Sequence, residues 1–140
     1  MNNTNQRTNQ KTDQDGKLLT ETELELMTIL WRLEEGSVAD VIENLPKGRE
    51  LAYTSVSTIL RILEQKGVLK ARKEGRGHIY VPVLLKSEYE AKTVKHVVER
   101  VFDGTPVALV RQLLDSGQLK AKDLDELRKL ISEASGKEKA

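Results

Sequence analysis

Cysteine is absent from the 140 residues, which excludes disulfides, thiolate metal sites and cysteine nucleophiles together. The only histidines are His78 and His96, too few for a histidine metal cage, so no metal site is expected. No apolar run approaches the roughly 18 to 20 residues that span a bilayer, and the first residues lack the apolar core of a signal peptide, so a cytoplasmic location is expected. Aromatic residues amount to 4%. Trp31 and Phe102 lie on segments rich in Leu and Val and are read as core fillers, so no small-molecule cofactor is expected. Neither sign of charge is in excess, with 23 Lys+Arg against 22 Asp+Glu. What remains is the composition of a globular protein with room for one ordinary domain, or a small domain plus an appendage.

The sequence divides by composition. Residues 1–17 contain no apolar side chain after Met1 and are read as a disordered tail. Thr20-Glu21-Thr22-Glu23 is a capping box that opens a helix carrying Leu24, Met27, Leu30 and Trp31, and Gly36 is expected to end this segment in a left-handed conformation. A short second helix follows from Ser37, with Val38, Val41, Ile42 and Leu45 as its stripe and Pro46 as its stop. A third helix, with Val56, Ile59, Leu60 and Leu63 on its buried face, ends at Gly67. The period then changes, and Val68–Lys73 and His78–Val83 read as strands joined through Glu74-Gly75-Arg76-Gly77. Three more helices follow: one from a Ser87-to-Glu90 capping box to the break at Asp103-Gly104, one from Thr105-Pro106 to before Gly117, and one over roughly 121–134.

The solvent side of the third helix has an unusual composition. Thr54, Ser57, Thr58 and Arg61 recur at three- and four-residue spacing, with Tyr53 and Ser55 at the N-terminal edge. Exposed helix faces normally carry Glu, Lys, Gln and Ala, because hydroxyl residues compete for backbone hydrogen bonds. Short hydroxyl side chains let a helix lie deep in a groove and donate to phosphates or base edges, and an arginine reaches a guanine edge or a phosphate. Charge supports this use: residues 18–50 hold 3 basic against 8 acidic residues, whereas residues 51–85 hold 6 basic against 2 acidic. Lys70, Arg72, Lys73 and Arg76 fall on the hairpin. Three helices followed by a basic hairpin form a winged helix-turn-helix, in which the third helix enters the major groove of double-stranded DNA and the wing touches the flanking backbone.

The predicted fold is therefore mainly α with a small β-hairpin: a winged helix-turn-helix over 18–85, a C-terminal helical dimerisation region over 86–135 and a flexible end over 136–140. The dimerisation region is inferred from its apolar stripes, Val94, Val97, Val101, Val110, Leu113, Leu124, Leu127 and Ile131, which are too many for three helices to hide alone and are expected to meet the same surface on a second copy. Two other classes of function stay open. An enzyme would need a nucleophile, a base and an orienting group in one pocket, and neither His78 nor His96 sits in any such motif, so no catalytic residue is assigned. A winged-helix module that binds protein without specific DNA recognition is compatible with the near-neutral total charge.

Leu19-Thr20, Glu23-Leu24-Glu25 and Leu30-Trp31, the helix from Tyr53-Thr54-Ser55-Val56 to Lys66-Gly67, and Lys73-Glu74-Gly75-Arg76 with Tyr80 and Pro82 together resemble the penicillinase-repressor family (BlaI/MecI/CopY), in order over about residues 19–134. The resemblance implies a homodimeric transcriptional repressor that binds a palindromic operator through its N-terminal winged helix. It implies DNA contacts from Thr54, Ser55, Ser57, Thr58 and Arg61, with Arg76 on the wing. Copper-responsive members carry C-terminal cysteine pairs, which this sequence lacks. In β-lactam-responsive members a protease linked to a membrane-associated sensor cuts an Asn-Phe bond in the fifth helix. The matching pair here is Gln112-Leu113, which keeps neither side chain.

Overall fold

The structure, a computed structural model, describes residues 18–139, and the tail expected at 1–17 lies outside the described residues. Its elements are α1 (Glu21–Leu33), α2 (Val38–Glu43), α3 (Tyr53–Gln65), β1 (Leu69–Glu74), β2 (Gly77–Pro82), α4 (Lys86–Arg100), α5 (Pro106–Asp115) and α6 (Ala121–Lys139). They fall into two compact units, one ending at Val94 and one beginning at Lys95.

The starts and stops in the first unit follow from local chemistry. At α1 the Thr20 hydroxyl accepts from the Glu23 N–H (3.1 Å) and the Glu23 carboxylate accepts from the Thr20 N–H (2.9 Å). Ser37 and Asp40 form the same reciprocal box at α2. Helix α3 ends in a Schellman arrangement: Gly67 takes φ +81°, its N–H donates to the Glu64 carbonyl, and the Val68 N–H donates to the Leu63 carbonyl. At the hairpin tip Gly75 takes φ +60°, as the first central residue of a type II′ turn requires, and Glu74 pairs with Gly77. The strands are thus joined by Gly75-Arg76 alone, one residue tighter on each side than the sequence predicts.

The core of this unit is formed by Leu26, Met27, Ile29 and Leu30 of α1, Val38 and Val41 of α2, Val56, Leu60 and Leu63 of α3, and Leu69 and Tyr80 of the hairpin. Leu26 and Ile29 are buried although the predicted stripe omits them, and Leu24 is only half-buried. The sequence assigns the left-handed residue after α1 to Gly36, but the positive φ falls on Glu34 (φ 75°, ψ −35°), outside the left-handed helical region. Gly36 instead forms an isolated antiparallel bridge to Tyr80, with N–H···O distances of 3.1 and 2.8 Å in the two directions. A Cβ on Gly36 would lie 3.2 Å from the Asp40 Cβ and 3.4 Å from a Leu30 methyl, so a larger residue there would push these side chains aside by a few tenths of an ångström.

Helix α4 starts one residue before the predicted capping box. The Glu88 carboxylate accepts from the Leu85 N–H (2.8 Å), so Leu85 stands in the capping position, and the Ser87–Glu90 box does not form. The first unit extends past the predicted boundary at residue 85 because Tyr89 belongs to it. Tyr89 is buried, its ring lies 5.8 Å from that of Trp31, and its hydroxyl accepts from the Leu19 N–H (3.0 Å). Trp31 in turn donates from Nε1 to the Leu84 carbonyl (2.8 Å).

In the second unit, Asp103 and Gly104 both take positive φ after α4, and Gly117 does so after α5. The sequence leaves 136–140 as a flexible end after a helix over about 121–134, but α6 runs through Lys139. A lone glycine such as Gly136 weakens a helix by about 1 kcal/mol relative to alanine without stopping it, and the residues after it, Lys137-Glu138-Lys139, favour helix.

Candidate nucleic-acid interface

Helix α3 buries Val56, Leu60 and Leu63 on one side, and this fixes what its other side presents. Thr54, Thr58 and Arg61 are all exposed and lie opposite the buried stripe. Ser55 is exposed, Tyr53 is 60% exposed at the N-terminus, and Ser57 is half-buried on the flank. The helix thus brings the six predicted α3 residues to its open side and N-terminal edge. Their hydroxyls are also available. Elsewhere the Thr28 and Thr93 hydroxyls donate back to the carbonyls four residues earlier, and Ser116 donates to Leu113, whereas among the described residues those of Thr54, Ser55, Ser57 and Thr58 make no hydrogen bond.

Gln65 continues the ridge. It is exposed, and Thr54, Thr58, Arg61 and Gln65 follow steps of four, three and four residues. Gln65 is absent from the predicted ridge, although the same spacing carried one turn beyond Arg61 reaches it. The ridge is about 16 Å long at 1.5 Å per residue, comparable to about five base-pair steps of 3.4 Å.

Beside this ridge stands the hairpin. The β1–β2 ladder pairs Leu69 with Pro82, Ala71 with Tyr80 and Lys73 with His78, and α3 packs against β1. Tyr80 is buried, and burial first and the Glu64 carboxylate second push its phenol above the ordinary value.

The basic residues are not equivalent. Lys66 donates to the buried Glu23 carboxylate (2.9 Å), joining the C-terminus of α3 to the N-terminus of α1. Burial raises the Glu23 pKa, but the Thr20 N–H and the Lys66 ammonium outweigh it and hold the carboxyl below the ordinary value. Arg72, one of the four basic residues the sequence places on the hairpin, is bonded to Glu35 and to Glu74. Arg61, Lys70, Lys73 and Arg76 have no ion-pair partner among the described residues. Arg76 stands at the exposed tip and His78 is exposed on β2. The resulting surface can donate from neutral hydroxyls and an amide along the helix and from fixed cations along the hairpin.

The remaining predicted residues lie elsewhere. Val94, Val101, Val110 and Ile131 are exposed, whereas Val97, Leu113, Leu124 and Leu127 are half-buried. Gln112 is exposed in the second half of α5, beside Leu113. His96 is half-buried on α4. No helix among the described residues is long and apolar enough to cross a membrane, and no group of three potential metal ligands occurs among them.

Similarity to known proteins bears on this arrangement. The penicillinase repressor of Bacillus licheniformis is 28% identical over 121 residues, covering 86% of this chain and 94% of that protein. The methicillin resistance regulatory protein MecI of Mammaliicoccus sciuri is 24% identical over 114 residues, covering 81% of this chain and 93% of that one. The solution structure of the DNA-binding domain of the repressor BlaI aligns with 51% of this chain and 87% of that domain, at 32% identity and a TM-score of 0.46. The family description "Penicillinase repressor" matches residues 19–133, nearly the whole described chain, and the chain therefore belongs to the penicillinase-repressor family.

Proposed function

We propose that this transcriptional repressor binds a palindromic operator in double-stranded DNA as a homodimer, each protomer laying α3 in a major groove and setting its hairpin against the adjoining backbone. The observation that carries this reading is the ridge of Thr54, Thr58 and Arg61, with unbonded hydroxyls, beside a hairpin whose Lys70, Lys73 and Arg76 have no ion-pair partner among the described residues. Thr58 and Arg61 read base edges, Tyr53, Thr54, Ser55 and Ser57 fix the helix in the groove, and Arg76 contacts phosphate. The role is regulatory and non-enzymatic, and its place is the cytoplasm, where the DNA is.

Dimerisation is supported by what the second unit leaves uncovered. No described side chain after Tyr89 is buried, while Val101, Val107 and Ile131 are each more than 60% exposed. Helices bearing that much apolar surface are stabilised by covering it. A second copy does so, and its winged helix then meets a second half-site as a tethered partner, which raises affinity by effective concentration. Release of the operator follows proteolysis linked to a membrane-associated sensor, at Gln112-Leu113 or another bond of α5, which detaches α6 and loosens the dimer.

The decisive experiment is footprinting on the duplex upstream of the gene for this protein. Two protected half-sites related by two-fold symmetry are expected, about one helical turn apart. Protection without symmetry would overturn the homodimeric arrangement, and retardation equal on all duplexes would leave a protein without operator specificity.

A further inference from the structure

The wing contains an arginine that the fold has already used. The Arg72 guanidinium holds Glu35 in a two-pronged pair, Nη2 to Oε2 at 2.8 Å and Nη1 to Oε1 at 3.3 Å. Its Nη2 also donates to Glu74 at 3.3 Å. Glu35 immediately precedes Gly36, whose backbone is bridged to Tyr80 of β2. The segment between α1 and α2 is thus fastened to both strands, by its backbone to β2 and by the Glu35 carboxylate to β1. The bidentate bond holds the Glu35 carboxyl below the ordinary value.

We propose that Glu35 and Glu74 clamp Arg72 as a brace that sets the angle of the wing and withholds this guanidinium from the DNA backbone. The proposal rests on the reading of the hairpin as a backbone contact. Its physical content is a division of labour among like charges. Lys70, Lys73 and Arg76 stay available for phosphate, and each phosphate neutralised adds about 0.9 to the slope of log affinity against log salt. Arg72 adds nothing to that slope while two carboxylates neutralise it. Because all three side chains are well exposed, the cluster contributes little to global stability. Its effect is on wing position and on specificity: a fourth free cation would tighten binding to any duplex and so narrow the margin between operator and non-operator DNA.

Two measurements on the full chain test this. In the free protein, Arg72→Gln and Glu35→Gln are expected to speed hydrogen exchange of the Gly36 and Tyr80 amides, which form the adjoining bridge; exchange at the wild-type rate would overturn the brace whatever the protein does on DNA. With duplex, Arg72→Gln is expected to leave the salt slope unchanged, while Glu35→Gln combined with Glu74→Gln steepens it by about 0.9 per protomer as the guanidinium finds phosphate. A slope that falls by about 0.9 in Arg72→Gln would make Arg72 a DNA contact in the native state and overturn the proposal. Absence of any salt-dependent binding by the wild type would instead refute the reading of the hairpin, and the exchange experiment would still decide whether the brace exists.

Discussion

Thr58 and Arg61 carry the most specific expectation because both are exposed on the side of α3 opposite its buried stripe. Thr58→Ala and Arg61→Ala should each weaken operator binding by about 1–3 kcal/mol, the range for loss of a base-edge contact, with an unchanged thermal midpoint. Titration against operator and scrambled duplexes checks this, and normal operator binding by both variants would remove α3 from the groove. Glu23 acts on stability instead. Its carboxyl is buried, caps α1 and binds Lys66, and its pKa lies below the ordinary 4.5. A carboxyl with a depressed folded-state pKa contributes stability that is present above the ordinary value and lost as pH falls through the folded value. Glu23→Gln, which keeps an acceptor for the Thr20 N–H but loses the charge, should cost about 1 kcal/mol at neutral pH, since Lys66 is partly in solvent. Denaturant midpoints of the two proteins should stay separated down to about pH 5 and converge below it; a constant separation at pH 3 would exclude a charge effect.

At the scale of the element, the proposed complex divides recognition between sequence, read by α3, and backbone, met by the hairpin. A cation at a hairpin tip reads phosphate without regard to the bases, so Arg76→Ala should lower affinity for all duplexes alike and reduce the salt slope by about 0.9 per protomer. An effect confined to one operator position would make Arg76 a base reader. The tip can present Arg76 in this way because Gly75 supplies the positive φ of a two-residue turn, which leaves the following residue outside the ladder. The C-terminus of α3 is closed locally by Gly67 and tied over a long sequence separation by Lys66 to Glu23.

For the whole molecule, the proposed dimer and the proposed release by cleavage both rest on the exposed apolar side chains of the second unit. Leu127 is half-buried on α6, and Leu127→Asp should place a charge in the subunit interface, give a monomer by sedimentation and nearly abolish operator binding. A variant that stays dimeric would move the interface elsewhere. Proteolysis should act through the same unit. Because Gln112 lies inside α5, the helix must open locally before a protease can hold it in extended form. Mass spectrometry of the repressor from induced cells should therefore show fragments ending within α5, and an intact chain during full derepression would refute release by cleavage.

The sequence by itself determined the elements, because their signals act over a few residues. The Thr20–Glu23 box, the Gly67 stop, the Pro106 start and the change of period after Gly67 are complete within one turn or one hairpin, and the α3 ridge needs only a helical period to be visible. Local signals failed where two competed: Gly36 carries the composition of a helix stop but serves a close approach to Asp40 and Leu30, and the Ser87 box lost to Glu88 capping two residues earlier. Only the tertiary structure decided which charges are free. Arg72 and Glu35 are 37 residues apart, Lys66 and Glu23 are 43 apart, and the Tyr89 hydroxyl meets the Leu19 backbone across 70 residues. No periodicity encodes such pairings, since each depends on how separate elements pack around one core. The basic island is legible as composition, but the fold removes Lys66 and Arg72 from it and leaves Arg61, Lys70, Lys73 and Arg76 without an ion-pair partner among the described residues.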